Sequence, residues 1–182
     1  FRREFSRRFS NAEEIAFVTG DGNGKPTGLF SNDEGADVGI SAASATAITG
    51  DEIVRLYHSL RAPYRNKAVW LMNDSTLEAI RLLKDNNGQY IWRAGLTEGA
   101  PDTILGRPVY TSTAVPGIGA GQKVMAFGDF SYYWIGDRQG ISFRRLNELY
   151  ATTGQVGFLA TKRVDAKLIL PEAIKVMQMK SA

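Results

Sequence analysis

The sequence predicts an α+β fold. Helical apolar spacing recurs near the start and in two middle segments, and strand-like segments dominate after residue 106. The regular strand–helix alternation of a parallel βαβ sheet is missing. With 182 residues the chain can form one substantial domain or two small ones.

The first segment, "FRREFSRRFSNAEEIAF", places Phe1, Phe5, Phe9, Ala12 and Ala16 on one helical face, with Gly20 as its stop. Arg2, Arg3, Arg7 and Arg8 lie at its amino end and Glu13 and Glu14 toward its carboxyl end, the reverse of what the macrodipole favours. No Ser, Thr, Asp or Asn caps its start, so the segment is expected to be the tail of a longer helix in a processed or truncated product. Residues 31–50 are small and polar and read as an extended surface segment.

The next helix is announced by Thr49 and Glu52, a capping box, and by the stripe Ile53, Leu56, Tyr57 and Leu60, with Pro63 after its stop. "KAVWLMN" is a buried-strand candidate. A further helix is expected behind a Ser75–Glu78 capping box, stopping at Asn86, Asn87 and Gly88 before a short strand through "QYIW". Residues 93–106 read as loop. "RPVYTST", "KVMAFGDF", "YYWIGDRQ" and "ISFRRLN" read as strands separated by Gly-rich turns, "YATTGQVG" as a turn, and "FLATKRVDAKLIL" and "AIKVMQM" as the closing strands.

Composition narrows the chemistry. There is no cysteine, which excludes disulfides, thiolate zinc and a Cys nucleophile. No stretch of eighteen apolar residues and no secretory signal is present, so no membrane partner is expected. A net charge of +3 does not by itself imply nucleic-acid binding.

The stretch "FVTGDGNGKPTGLF" is the strongest candidate for chemistry. A Walker loop would need Gly where Thr19 stands and a hydroxyl where Pro26 stands. A calcium loop fails at Lys25, Pro26 and Asn32. What remains is a glycine-rich turn, Gly20, Gly22, Gly24, Pro26 and Gly28, taking the chain out of the helix. His58, the only histidine, sits beside an apolar stripe without a partner at metal or triad spacing. The aromatics of "FSYYWIGDRQGISFRRLNE" read as sheet and core rather than a base-stacking platform. No catalytic, metal or cofactor residues emerge.

Five elements in order resemble the major capsid proteins of tailed bacteriophages, the Hong Kong 97-type fold. They are "AFVTGDGNGKPTGLF", "VWLMNDSTLEAIRLLKDNNGQYIW", "ILGRPVYTSTAVP", "AFGDFSYYWIGDRQGISFRR" and "FLATKRVDAKLILPEAIKVMQM". The resemblance implies a peripheral domain holding the end of a truncated spine helix and its exit loop (1–31), an axial domain (32–126) and peripheral strands (127–182). It implies a subunit that self-assembles, through pentamers and hexamers of the full-length protein, into an icosahedral shell around double-stranded DNA in the host cytoplasm. Contact with that DNA would be non-specific. Candidate inter-subunit contacts are Arg55, Arg61, Arg65, Arg144, Arg145 and Gly154. The Lys-to-Asn isopeptide weld of one family member does not carry over, because its Asn and Glu positions fall on Gly154 and Thr161. With the family's arm and extended loop absent, the chain alone is expected to stay monomeric or form small open oligomers. An encapsulin-like shell around a cargo enzyme and a phosphate-binding enzyme using the glycine loop are the alternatives.

Overall fold

The computed structural model describes residues 2–84, 88–89, 102–149 and 151–181. Helix α1 (Arg2–Thr19) ends where expected, with Gly20 N–H donating to the Ala16 carbonyl at 3.0 Å. Phe5, Phe9 and Ala16 are half-buried, but Ala12 is exposed and Glu13 takes its place on the inner face. This face rests on a two-stranded ribbon rather than a broad core, and ribbon Lys162 pairs with Glu13 at 2.6 Å.

Residues 31–50 are more structured than expected. They contain β1 (Asp37–Ser41), which pairs in parallel with β8 (Ile174–Gln178), and buried Ala36, Ala42 and Ile48. The partner strand lies far along the chain, so no local pattern reveals the pairing. Gly39 is needed for it: a Cβ there would stand 2.5 Å from Ser59 Oγ and 2.8 Å from Lys175 Cβ.

Helix α2 (Gly50–Ser59) has the expected capping box and buries Ile53 and Leu56, with Leu60 buried just beyond it. Pro63 follows the stop of α2, as expected, and lies inside a further short helical turn, α3 (Ala62–Arg65). Strand β2 (Val69–Met72) follows. The cap of α4 (Asp74–Arg81) is Asn73, not Ser75: the Asn73 side chain accepts from Ser75 N–H at 3.0 Å and from Ser75 Oγ at 2.9 Å. Helix α4 ends at Arg81, before the expected Asn-Asn-Gly stop, with Leu82 N–H satisfied by the Glu78 and Ile80 carbonyls. Asn86, Asn87 and most of the expected "QYIW" strand lie outside the described residues.

The expected loop 93–106 is described only from residue 102, where it forms a hairpin. β3 (Thr103–Ile104) and β4 (Arg107–Thr111) flank Leu105 and Gly106, at φ 51° and 72°. Two successive positive φ values make the two-residue turn that matches strand twist. β5 (Lys123–Gly128) is buried along its whole length.

These strands form one sheet in the order β1-β8-β5-β2-β4-β3. Trp70, Met72, Phe127 and Met177 pack with Leu56 and Leu60, and with Leu77 and Ile80 of α4. The Trp70 and Phe127 rings stack at 4.2 Å, and Trp70 Nε1 donates to the Ile104 carbonyl at 3.0 Å, so the largest core side chain is also polar-satisfied. Ala126, Ile174 and Val176 join a second cluster with Val18, Leu29, Phe30 and Val115, which carries the end of α1 onto the sheet.

The expected pair of strands around Gly140 is one continuous strand, β6 (Tyr133–Leu146), paired antiparallel with β7 (Gly157–Leu168). Register shifts at 137–139 and 139–142 absorb Gly140 as bulges instead of a turn. The aromatic segment is divided: Phe130, Tyr132 and Tyr133 pack against the second cluster, whereas Trp134 is 64% exposed and Phe143 57%. A two-stranded ribbon has too few neighbours to cover both faces.

Candidate functional site

The glycine-rich stretch forms a closed, docked loop. Gly28 N–H donates to the Gly20 carbonyl at 2.8 Å, and Leu29 and Phe30 N–H donate to Phe17 and Val18 carbonyls at 2.9 Å. The returning chain thus satisfies the last carbonyls of α1. Contact is close enough to require glycine: a Cβ on Gly20 would lie 2.1 Å from the Pro26 carbonyl oxygen, and one on Gly28 2.4 Å from Gly20 N. At the tip, Gly22 and Gly24 take φ 76° and 69°. Asp21 accepts from Asn23 N–H at 3.0 Å and pairs with Lys25 at 3.2 Å. That backbone bond, then Lys25, hold the Asp21 carboxyl below its ordinary pKa.

The loop is also fastened to the ribbon. Thr27 N–H donates to the Ala166 carbonyl at 3.0 Å, and Tyr133 Oη donates to the Thr27 carbonyl at 2.8 Å. Burial, with Asp165 adding repulsion, raises the Tyr133 pKa and keeps it a neutral donor. No helix follows the loop, so the strand-to-helix frame of a phosphate-cradling P-loop is absent.

The six candidate contact positions are scattered rather than gathered. Arg55 is exposed on α2. Arg61 pairs with Glu172 at 3.2 Å, and Tyr64 Oη donates to the same carboxylate at 2.7 Å. Arg65 turns inward, donating to the Leu60 and His58 carbonyls at 2.7 and 3.0 Å and lying over the Tyr57 ring, so it closes the carboxyl end of α2. Arg144 and Arg145 are exposed on β6, and Gly154 takes φ 65° in the connection to β7. His58 is exposed, with its ring 5.3 Å from that of Tyr57.

Sequence spacing misses three couplings. Lys162 bridges Glu13 of α1 at 2.6 Å and Asp137 of β6 at 3.5 Å, which raises its pKa. Lys123 is buried and donates to the Ser31 carbonyl at 2.6 Å, and its burial lowers its pKa. Arg138 and Arg163 stand beside the glycine loop. Each depends on contact between distant segments and leaves no local signal. The expected Glu4–Arg8 pair forms at 3.0 Å and is joined by Arg7 at 2.8 Å. Hydrogen bonds from Arg7 and then Arg8 bring the Glu4 pKa down to about 2. Among the described residues no three metal-capable side chains gather, and no helix is long and apolar enough to cross a membrane.

This fold has solved counterparts. The phage capsid family matches residues 2–179, so the chain belongs to the phage capsid family. The capsid of an empty GTA particle matches at TM-score 0.86 and 30% identity over 99% of this chain and 65% of that one. The capsid of the native GTA particle matches equally, over 99% and 64%. A Gordonia phage Cozz structure shares the fold at TM-score 0.69 and 15% identity, over 99% of this chain and 62% of that one. The chain thus spans a little under two thirds of each of these chains. No curated protein sequence matches it.

Proposed function

We propose that the protein carrying this chain is a major capsid subunit, a structural protein rather than an enzyme. Copies of it assemble in the bacterial cytoplasm into an icosahedral virion shell that encloses double-stranded DNA. The observation that carries the reading is the fold agreement over 99% of the chain with capsids of assembled GTA particles. Rings of five or six subunits are the closed form of a repeated head-to-tail contact.

The segment division 1–31, 32–126 and 127–182 is proposed as the peripheral and axial parts, with β8 returning from the last segment into the axial sheet. Gly20, Gly22, Gly24, Pro26 and Gly28 then form the junction between the two. Arg55, Arg61, Arg144, Arg145 and Gly154 are proposed at inter-subunit contacts, with Arg65 supporting α2 beneath them. Exposed Ile141 and Phe158 on the ribbon support burial against a neighbour. Sedimentation of the full-length protein tests this. Fast-sedimenting particles that are lost in the Arg144→Glu/Arg145→Glu variant are expected. Particles unaffected by that variant would remove these two residues from the contact.

A further inference from the structure

A cleft of about 360 Å³ lies between the tip of the glycine loop and the ribbon, lined by Gly22, Gly24, Lys25, Arg138, Arg163 and Asp165. Arg138 comes from β6 and Arg163 from β7, while Lys25 comes from a loop more than a hundred residues earlier. The register jumps here: Asp137 pairs with Val164, but Gln139 pairs with Arg163, leaving Arg138 as the extra residue of a bulge. A bulge re-aims the side chain it carries. In this case two guanidinium groups come to line one cleft.

Both arginines are exposed, and neither makes an ion pair or side-chain hydrogen bond among the described residues. Other basic side chains of the structure are used internally, such as Arg65 on carbonyls, Arg61 on Glu172 and Lys167 on Glu34. Among the described residues Lys25 is held only by a half-exposed pair with Asp21, the kind that contributes little and re-forms readily. The acidic residue lining the cleft is Asp165, whose Oδ1 accepts from Ala166 N–H at 2.8 Å; Asp21, the partner of Lys25, also accepts from Asn23 N–H. Three cations against two occupied carboxylates leave a net positive cleft. The loop wall is preorganised by the Thr27–Ala166 and Tyr133–Thr27 bonds, and glycines at the tip leave its backbone uncovered by side chains.

We propose that this cleft binds phosphate groups, and that its occupant is the phosphodiester backbone of enclosed DNA. Paired guanidinium forks match phosphate oxygens, and the lysine adds a mobile point charge. The site reads no sequence, since backbone contacts carry none. The DNA arm of the proposal rests on the shell reading above.

The test is anisotropy of a fluorescent DNA duplex against the 182-residue chain at rising salt. Arg138→Ala/Arg163→Ala is compared with Lys67→Ala/Lys180→Ala, which removes two exposed charges elsewhere. The cleft variant is expected to weaken binding about tenfold and to reduce the slope of log affinity against log salt by about 2, with the control near wild type. Pyrophosphate should compete with the duplex on wild type. Equal losses in the two variants, or binding of neither duplex nor pyrophosphate by wild type, would overturn the site. Pyrophosphate binding without duplex binding would overturn DNA as its occupant. Sedimentation of the same variants in the full-length protein separates the two readings. The cleft variant should still form shells; if it loses assembly instead of DNA binding, the cleft is a subunit contact and the proposal fails. Absence of shells from wild type would strike the shell reading alone.

Discussion

Gly20 and Gly28 meet backbone to backbone, with Gly28 N–H on the Gly20 carbonyl at 2.8 Å, which leaves no room for a methyl group. Gly28→Val should therefore destabilise the chain toward the upper end of the roughly 1–3 kcal/mol seen for overpacking. Lys25→Ala, at an exposed tip, should leave the urea midpoint unchanged, and the pair of midpoints checks both. Glu52 carries a different load. Its two carboxylate oxygens accept from Ala43 and Thr49 N–H, each at 2.8 Å. Burial alone would raise its pKa, but these bonds together outweigh burial and lower it. Because the folded pKa lies below the unfolded one, the carboxylate's stabilisation is complete above the unfolded value of about 4.3. It is lost as pH falls through the folded value. Glu52→Ala should cost about 2 kcal/mol at neutral pH. The stability gap between wild type and Glu52→Gln should shrink on acidification, as read by urea unfolding at each pH.

At the scale of elements, what was legible in the sequence is what is local. Helix α2 declared itself through Thr49, Glu52 and its apolar stripe, and β2, β5, β7 and β8 through apolar runs between turns. Where two local signals competed, the nearer geometry won: Asn73, one residue before α4, took the cap that Ser75 was expected to supply. Strand β1 was hidden because its pattern is completed by β8, and the Gly140 break was illegible because β7 continues past it and holds β6 in register. The sequence of residues 17–30 marked a turn out of α1, and the chain does turn back there, with Gly28 N–H on the Gly20 carbonyl. It could not foresee Arg138 and Arg163 at its flank, since a bulge depends on the partner strand. Lys162 ties the ribbon to α1 by pairing with Glu13 of the helix and Asp137 of β6. Lys162→Met should speed amide exchange along β6 and β7 while leaving exchange in β5 unchanged. Uniform acceleration across the sheet would show instead that the ribbon and core open together.

Across the whole molecule, the last strand is the keystone. β8 lies between β1 and β5, so residues 174–178 join the start of the described sheet to its centre. Its side chains feed both apolar clusters, Met177 on one side and Ile174 with Val176 on the other. Trp70 centres the first cluster, and Trp70→Ala should cost about 3–5 kcal/mol in equilibrium unfolding. This architecture spends its apolar surface in two ways. The sheet core is closed, whereas the ribbon presents Trp134, Phe143 and Phe158 to solvent in the isolated chain. A shell subunit needs both, a rigid body and a face that becomes covered on assembly. Electron microscopy of the full-length protein tests that claim most directly. Closed icosahedral particles are expected, in which this fold repeats around five-fold axes with the ribbon against a neighbouring subunit. A full-length protein that remains monomeric, or particles whose subunits leave the ribbon in solvent, would contradict it.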